Sequence, residues 1–513
     1  MALGAPFGGE TALLAEVGST LDKAARTHTA LLNIGHAPTE LVLTRQCGDV
    51  AKLSYHLRLN GDRVPDRLLK AFDQDLRASV EHILGGSLPD NAREQCGTGV
   101  SHGGLGLRTA KQVSMAAFVA SHVSARPHVR EMAIHLAQAG VCDMSAVMLA
   151  YDKRTEDAVV DLVATLPAAV GAAVVDTLET AAEDAATVWA SLFQDDEDPR
   201  SSSTTGARTQ HSGCPQRLGT GIVPLDEDED VEHPAFSAPP ATGLHLQCVL
   251  LGYSDRHLRE CMLARCGAAQ DLPALRRLSD LADPECDHGW LWNLSRPRGP
   301  VLQPAQYVEA VRVRLGAAGP SEPLPCPRCG RVLLDGAGSH AHCCSLGEAT
   351  RGHHAVARQI HDVARHCDPS AEVEAPGLIP GTNLRPADVH TGACGHGLTA
   401  LDIGIASPDA EHAGEDCATT MYANKIERYA AYAAILDAQN VAYQPLVWTA
   451  YGRPHPRTTA ILRTLATRLA RRRGCSDAEW RYRRLRAAVG VEIWRRAARQ
   501  VMACWPACEE DED

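Results

Sequence analysis

Apolar residues recur at three- and four-residue intervals through Leu68, Phe72, Leu76 and Val80, and again through Val159, Leu162, Val163, Leu166 and Val170. That period puts them on one face of a helix, so the chain to about residue 190 reads as helical. Gly103-Gly104-Leu105-Gly106-Leu107-Arg108 interrupts it. A glycine-rich loop can cradle phosphate at a helix start, but no Lys-Ser/Thr follows this one and no strand pattern precedes it, so it reads as a tight turn. Between residues 194 and 240 the periodicity disappears. Asp195-Asp196-Glu197-Asp198, Ser201–Thr205, Asp226–Asp230 and Pro239-Pro240 carry too little apolar material to offset the entropy of ordering, which predicts a disordered acidic linker. Helical spacing resumes near Gly243 and closes through Tyr307, Val311 and Leu315.

The period changes again between Leu398 and Ile405. Leu401, Ile403 and Ile405 alternate with Asp402 and Gly404, as in a strand with one buried face. Upstream lie Leu384-Arg385-Pro386-Ala387-Asp388-Val389 and the turn-forming Thr391-Gly392-Ala393-Cys394-Gly395-His396-Gly397. A hairpin centred on Gly395 sets Asp388 directly opposite Asp402, with Cβ atoms about 5 Å apart. Two carboxylates so placed repel each other unless a divalent cation lies between them. Mg²⁺ takes oxygen ligands and keeps several waters, one of which can become a nucleophile. From Met421 to Asp437 the spacing is helical, with Lys425, Tyr429 and Tyr432 on one side. A lysine beside such a metal would stabilise the pentacovalent phosphate or polarise the attacking water. The plainer reading is an acid at a strand end and a solvated lysine.

Composition changes this picture in three ways. At 513 residues the chain exceeds one ordinary domain, and with 45% hydrophobic but only 4% aromatic residues its cores rest on Ala, Leu and Val. The net charge of -13 argues against a nucleic-acid partner, yet between Tyr451 and Gln500 fourteen Arg face three acids, Asp477, Glu479 and Glu492. That local balance of about +11 opposes the total. The N-terminal residues show no secretory pattern, and no stretch has the length and apolarity of a membrane span. The 18 Cys therefore suggest a reducing compartment, where clustered cysteines more often bind metal than pair.

One cluster has the right spacing. Cys326-Pro327-Arg328-Cys329, a glycine-bearing loop, then His340 and Cys344 form the layout of a structural zinc site. So small a segment cannot bury enough surface to fold alone, and zinc would supply the folding free energy. Four ligands leave no open position, so the ion would be structural. His342 and Cys343 remain competing ligands.

Together these residues resemble the region downstream of the polymerase in non-long-terminal-repeat retrotransposons that carry a restriction-like endonuclease. Cys326, Cys329, His340 and Cys344 match that family's knuckle, and Thr350-Arg351-Gly352-His353-His354 resembles the basic motif after it. Arg385-Pro386-Ala387-Asp388 and Leu401-Asp402-Ile403 match its two acidic strands. Lys425, with Arg428-Tyr429, matches a lysine displaced from the second strand onto the following helix, which accounts for glycine at position 404. Tyr443-Gln444-Pro445-Leu446-Val447 resembles the next core strand. Leu3–Gly8, the Gly103–Arg108 loop and Arg312–Gly316 resemble other pieces of the same region. Gly352, His354 and the acidic stretch Asp409–Asp416 depart from the family pattern. No Tyr-x-Asp-Asp polymerase motif is present.

The resemblance implies a mixed fold: all-α N-terminal regions, a zinc knuckle, and an α/β domain of the PD-(D/E)xK class with C-terminal helices. The expected parts are thumb-like helices over residues 1–60 following a polymerase palm, helical regions at 61–193 and 241–319, the linker at 194–240, and the knuckle at 320–349. An endonuclease-like domain at 350–455, basic helices at 456–506 and an acidic tail at 507–513 complete the chain. It further implies that Asp388 and Asp402 hold Mg²⁺, that Lys425 assists DNA hydrolysis, and that Arg351, His353, Arg385 and Arg428 contact nucleic acid. The expected partners are DNA and element RNA, with a reverse transcriptase on another chain and no membrane; the expected location is the nucleus. The alternatives are a remnant that binds nucleic acid or zinc without cutting, and an interaction scaffold built on the N-terminal helices.

Overall fold

The computed structural model describes residues 9–193, 243–294, 300–319, 324–334, 336–344, 346–395, 397–410, 413–474 and 476–504. The linker and acidic-tail expectations, and the Leu3–Gly8 match, lie outside the described residues. The chain divides into two compact units, one of residues 1–115 with 251–513, the other of residues 116–250. Each is described by itself.

The first unit begins with five helices, α1 (Glu10–Leu32), α2 (Ala37–Leu43), α3 (Ser54–Asn60), α4 (Asp66–Ile83) and α5 (Asp90–Gly97). In α4 Phe72, Leu76 and Val80 are inward as the spacing predicts, with Leu69 and Ile83, while Leu68 is only half-buried. The Gly103–Arg108 segment is a tight turn. Gly103 and Gly106 have φ of 93° and 71°, and a Cβ on Gly104 would lie 2.2 Å from the Thr98 carbonyl oxygen. Buried Arg314 donates to the Gly104 carbonyl at 3.0 Å, so the loop's acceptors are filled from within.

Helix α6 (Ala110–Gln138) leads into the second unit, followed there by α7 (Met144–Ala164) and α8 (Ala168–Phe193). The apolar run from Val159 to Val170 thus covers two helices, not one. It breaks at Thr165–Pro167, where proline favours a helix start over a helix interior. Asp143 caps α7 through the Ser145 N–H, and Arg126 of α6 grips Asp152 of α7 with two bonds of 2.7 Å. Helix α9 (Gly243–Ala268) returns the chain to the first unit, with α10 (Leu272–Leu281) and α11 (Pro304–Leu315) behind it. Asp271 caps α10, and Gly316, at φ 65°, closes α11 in the left-handed conformation that glycine adopts without strain.

The rest of the first unit carries the candidate chemistry. A small hairpin, β1 (Leu324–Pro325) with β2 (Leu333–Leu334), precedes α12 (Ala341–Cys344) and α13 (Leu346–Cys367). A four-stranded sheet then runs in the order β3 (Glu372–Val373), β4 (Val389–Thr391), β5 (Leu398–Ala406) and β6 (Val441–Thr449). Its first two pairings are antiparallel, and β5–β6 is parallel. A parallel pair needs a long crossover, supplied here by α14 (Cys417–Ala430) and α15 (Ala433–Ala438). The single helix predicted over Met421–Asp437 is therefore two, parted at Ala431–Tyr432. Helices α16 (Pro456–Arg472) and α17 (Ala478–Met502) end the fold, α17 capped by Asp477.

The alternation in β5 sorts Leu401 and Ile403 from Asp402 and Gly404 as read, but both faces are buried, not one. Leu401 and Ile403 join a core with Val356 and Ile360 of α13, Leu462 and Leu465 of α16, and Val489 and Ile493 of α17. Ala400, on the other face, packs with Tyr429 of α14 and Leu436 of α15. The sheet thus lies between two helical layers, mixed in class and mainly helical. Among the described residues no helix is long and apolar enough to cross a membrane.

Candidate functional site

Two constellations stand out in the first unit. The first is the knuckle. Gly330, at φ 63°, turns the chain after Cys329, and the Cys326 N–H donates to the Val332 carbonyl at 2.8 Å. This turns Cys326 and Cys329 together, while His340 just before α12 and Cys344 at its end supply the second pair. The ligand atoms of Cys326, Cys329, His340 and Cys344 all lie within 4.8 Å of one another. Cys329 Sγ is 3.3 Å from His340 Nε2, and Cys326 Sγ is 3.7 Å from Cys344 Sγ. The N–H groups of Arg331 and Val332 pull the Cys329 thiol down to about 6, toward the thiolate a metal needs. Burial and the neighbouring thiols push Cys344 up to about 12. This set could hold a metal ion such as zinc, and its soft thiolate and imidazole donors fit that ion.

The two competing ligands fall elsewhere. His342 is 3% exposed, lies edge-on to Tyr451 and accepts a bond from Gln500 through its carbonyl. Burial, with Arg496 nearby, lowers it to about 4. Cys343 donates to Ser407 Oγ at 3.3 Å.

The second constellation is acidic. Val389 pairs with Leu401, His390 with Ala400 and Thr391 with Thr399, the register of a hairpin centred on Gly395. One step on, the Asp388 N–H donates to the Leu401 carbonyl at 2.9 Å, so Asp388 and Asp402 stand across from each other as the spacing predicts. Lys425 reaches the pair from α14, with Nζ 2.5 Å from Asp402 Oδ1. Gly404 makes room for it. A Cβ there would lie 2.8 Å from Lys425 Cε and 2.7 Å from Met421 Sδ.

The pair is nonetheless turned to protein partners. The Tyr443 hydroxyl donates to Asp402 Oδ2 at 2.5 Å, so both oxygens of that carboxylate are engaged. Asp388 Oδ2 accepts from the Ile403 N–H at 2.7 Å and from His353 Nε2 at 3.1 Å. The same imidazole nitrogen is 3.2 Å from the Ile403 carbonyl oxygen. Burial raises Asp402 against the pull of Lys425 and Tyr443, and the Asp388 charge adds to the rise. For Asp388 burial also acts upward, but the bond and charge of His353 outweigh it and its pKa is lowered. His353 is correspondingly raised, against its burial. Among the described residues, the knuckle is the one group of three or more His, Cys, Asp and Glu gathered closely enough to hold a metal. Asp388, Asp402 and His353 do not meet that condition.

Other assigned residues have other neighbours. Arg351 pairs with Glu348 one turn away, and Arg385 with Glu374 at 2.7 Å. Arg428 lies 5.5 Å over the Tyr429 ring. His353, expected at nucleic acid, is turned into the acidic pair. Much of the arginine-rich tail is also spoken for. Arg453 binds Asp280 and Asp416, Arg463 binds Glu285 and Glu479, and Arg468 donates to the Gly392 and Gly395 carbonyls. Arg496 is buried at 5% exposure.

Two contributors were not found from the spacing. His353 continues the buried stripe of Ala357, Ile360 and Ala364 on α13, a helical signal pointing inward that the basic motif obscured. Tyr443 pairs with Ala400 and so shares its face with Asp402, which only the β5–β6 register reveals.

Comparison with models of known protein families and with curated proteins finds no match.

Proposed function

We propose that the first unit carries a divalent-metal-dependent DNA endonuclease, of the kind that nicks a target site for a non-long-terminal-repeat retrotransposon. The supporting observation is the meeting of three side chains from three elements: Asp388 at the start of β4, Asp402 opposite it on β5, and Lys425 from the crossover helix. In this reading Asp388 and Asp402 would hold a divalent cation such as Mg²⁺, which would supply an activated water and offset the phosphate charge. Lys425 then stabilises charge developing on the phosphate, and cleavage leaves a 5′-phosphate and a 3′-hydroxyl. Metal entry requires Asp402 to loosen from Lys425 or Tyr443. The knuckle holds zinc and braces the site, the enzyme works in the nucleus, and its partners are DNA, element RNA and a reverse transcriptase on another chain.

A second reading has its own observation in favour. Both Asp402 oxygens are already taken, and many tail arginines are paired internally. A remnant that binds nucleic acid through its remaining basic groups and cuts nothing would tolerate both features. Supercoiled plasmid, Mg²⁺ and the full chain separate the two. Nicking that disappears with Asp402→Ala and with EDTA supports the nuclease. Absence of nicking from folded, zinc-loaded protein, together with retained DNA binding, supports the remnant.

A further inference from the structure

The four knuckle ligands differ in their access to water. Cys329, His340 and Cys344 are half-buried, whereas Cys326 is 0% exposed. Cys326 sits in the core that also holds Ala318, Leu334, Ala341 and Val501. Three thiolates and a neutral imidazole around Zn²⁺ carry one excess negative charge, spread over the sulfurs. On the half-buried ligands water can answer that charge, and the Arg331 and Val332 N–H groups already reach Cys329. On Cys326 water cannot, and a buried anion without a donor is costly.

One group is placed to answer it. The Cys504 thiol, also 0% exposed, lies within hydrogen-bonding reach of Cys326 Sγ. Apart from the other ligands, it is the one hydrogen-bonding side chain that reaches this sulfur among the described residues. It stands outside the four-atom gathering, so it is a neighbour of the site and not a fifth ligand. Its place is fixed from two sides. The Cys504 N–H donates to the Val501 carbonyl at 2.8 Å, just past the end of α17. Arg328 of the knuckle donates through Nε to the Ala503 carbonyl at 3.1 Å.

We propose that Cys504 is a positioning residue of the knuckle: its S–H donates to the Cys326 thiolate when zinc is bound, and so ties zinc retention to the seating of α17. The proposal rests on the reading of the knuckle as a zinc site. A thiol shut in apolar surroundings keeps its proton, which makes Cys504 the donor and Cys326 the acceptor. Such an outer donor orients the ligand and spreads its charge, and losing one weakens metal binding by about 10- to 100-fold.

The test uses the full chain under reducing conditions. Cys504→Val and Cys504→Ala remove the donor with a larger and a smaller side chain, and Cys504→Ser restores one. Zinc affinity is read by competition with a chromophoric chelator. It is expected to fall by about tenfold or more in the Val and Ala variants, and to stay within about threefold of wild type in Cys504→Ser. Cobalt(II) then replaces zinc, and the thiolate-to-cobalt charge-transfer band in the near ultraviolet is recorded. A hydrogen bond lowers the energy of the sulfur lone pair. The band should therefore move to longer wavelength without the donor and return in Cys504→Ser. A packing defect would lower Tm without moving the band. An unmoved band in the Val and Ala variants overturns the proposal, whatever the affinity does. So does a loss of band intensity at unchanged wavelength, which would make Cys504 a ligand. Wild-type chain that takes up neither zinc nor cobalt would remove the zinc reading itself, and the proposal with it.

Discussion

The knuckle and the acidic pair occupy the same unit and are built on opposite principles. Cys326, Cys329, His340 and Cys344 converge on one point, with the Arg331 and Val332 N–H groups on Cys329 and the Cys504 thiol beside Cys326. Asp388 and Asp402 also face each other, but each has found its own partner: His353 and a backbone N–H for one, Lys425 and Tyr443 for the other. Four soft donors converging on one point form a set that one ion such as zinc could complete. Two carboxylates answered by a lysine, a tyrosine and a histidine are stable without one. Opposed acids in a sequence therefore say less about resident metal than four soft ligands do.

The contrast is broken most forcefully at the knuckle. Stripping metal with a chelator, or Cys326→Ser, should remove on the order of 10 kcal/mol of binding free energy and lower Tm by roughly 10 °C or more. Metal analysis beside thermal unfolding checks it, and a stoichiometric ion is expected in the wild type. Identical melting with and without chelator would mean that the knuckle folds unaided. At the acidic pair, Asp402→Asn leaves Lys425 largely buried without its counter-charge. A loss of about 3 kcal/mol in urea unfolding is expected, with at least a hundredfold loss of nicking under the nuclease reading. Gly404→Ala comes next. The added methyl meets Met421 and Lys425, for about 1–2 kcal/mol in stability and about tenfold in nicking, while Asp402 itself is untouched.

The histidine partner gives a smaller, pH-dependent effect. His353 is raised from its usual 6.5, so its contribution is complete below that value and lost as pH rises through the folded pKa. Asp388 is lowered from 3.8, so its contribution is present above that value and lost as pH falls through the folded pKa. Stability from this pair should therefore be greatest between about pH 4 and 6.5 and decline toward pH 8, a decline absent in His353→Ala. Urea titrations of both proteins at pH 6 and 8 check it; parallel curves would exclude the pairing. The smallest effect is expected at Arg468→Ala, which frees the Gly392 and Gly395 carbonyls at the β4–β5 turn for about 0.5–1 kcal/mol.

What could be read from the sequence follows the range of each interaction. The knuckle ligands sit within nineteen positions, and the β4–β5 register follows from one turn centred on Gly395, so both were legible. The faces of β5 follow from a two-residue period. The break at Ala431–Tyr432 was not legible, because the apolar spacing runs on across it. Nor was the contact of Tyr443 with Asp402, forty-one residues apart, since it depends on how a parallel crossover closes. In the arginine-rich tail the local sequence shows the charge but not its partners. The acids that pair with Arg453, Arg463 and Arg486 include Asp280, Glu285 and Asp287, far upstream.

Helix α17 packs against α11, α12, α13 and α16. Its Trp494 ring lies 4.7 Å from Trp290, its Gln500 bonds the His342 carbonyl, and Arg328 of the knuckle donates to Ala503 just beyond its end. Near its middle Arg496 packs where a Cβ on Gly352 of α13 would have to go, one residue from His353. In hydrogen exchange the amides of Val489–Val501 should then be among the slowest of the unit, opening only when the whole of it opens. Removing the last two dozen residues would not trim a tail. It would release the knuckle and the acidic pair together, so the two sites live or fail as one cooperative body.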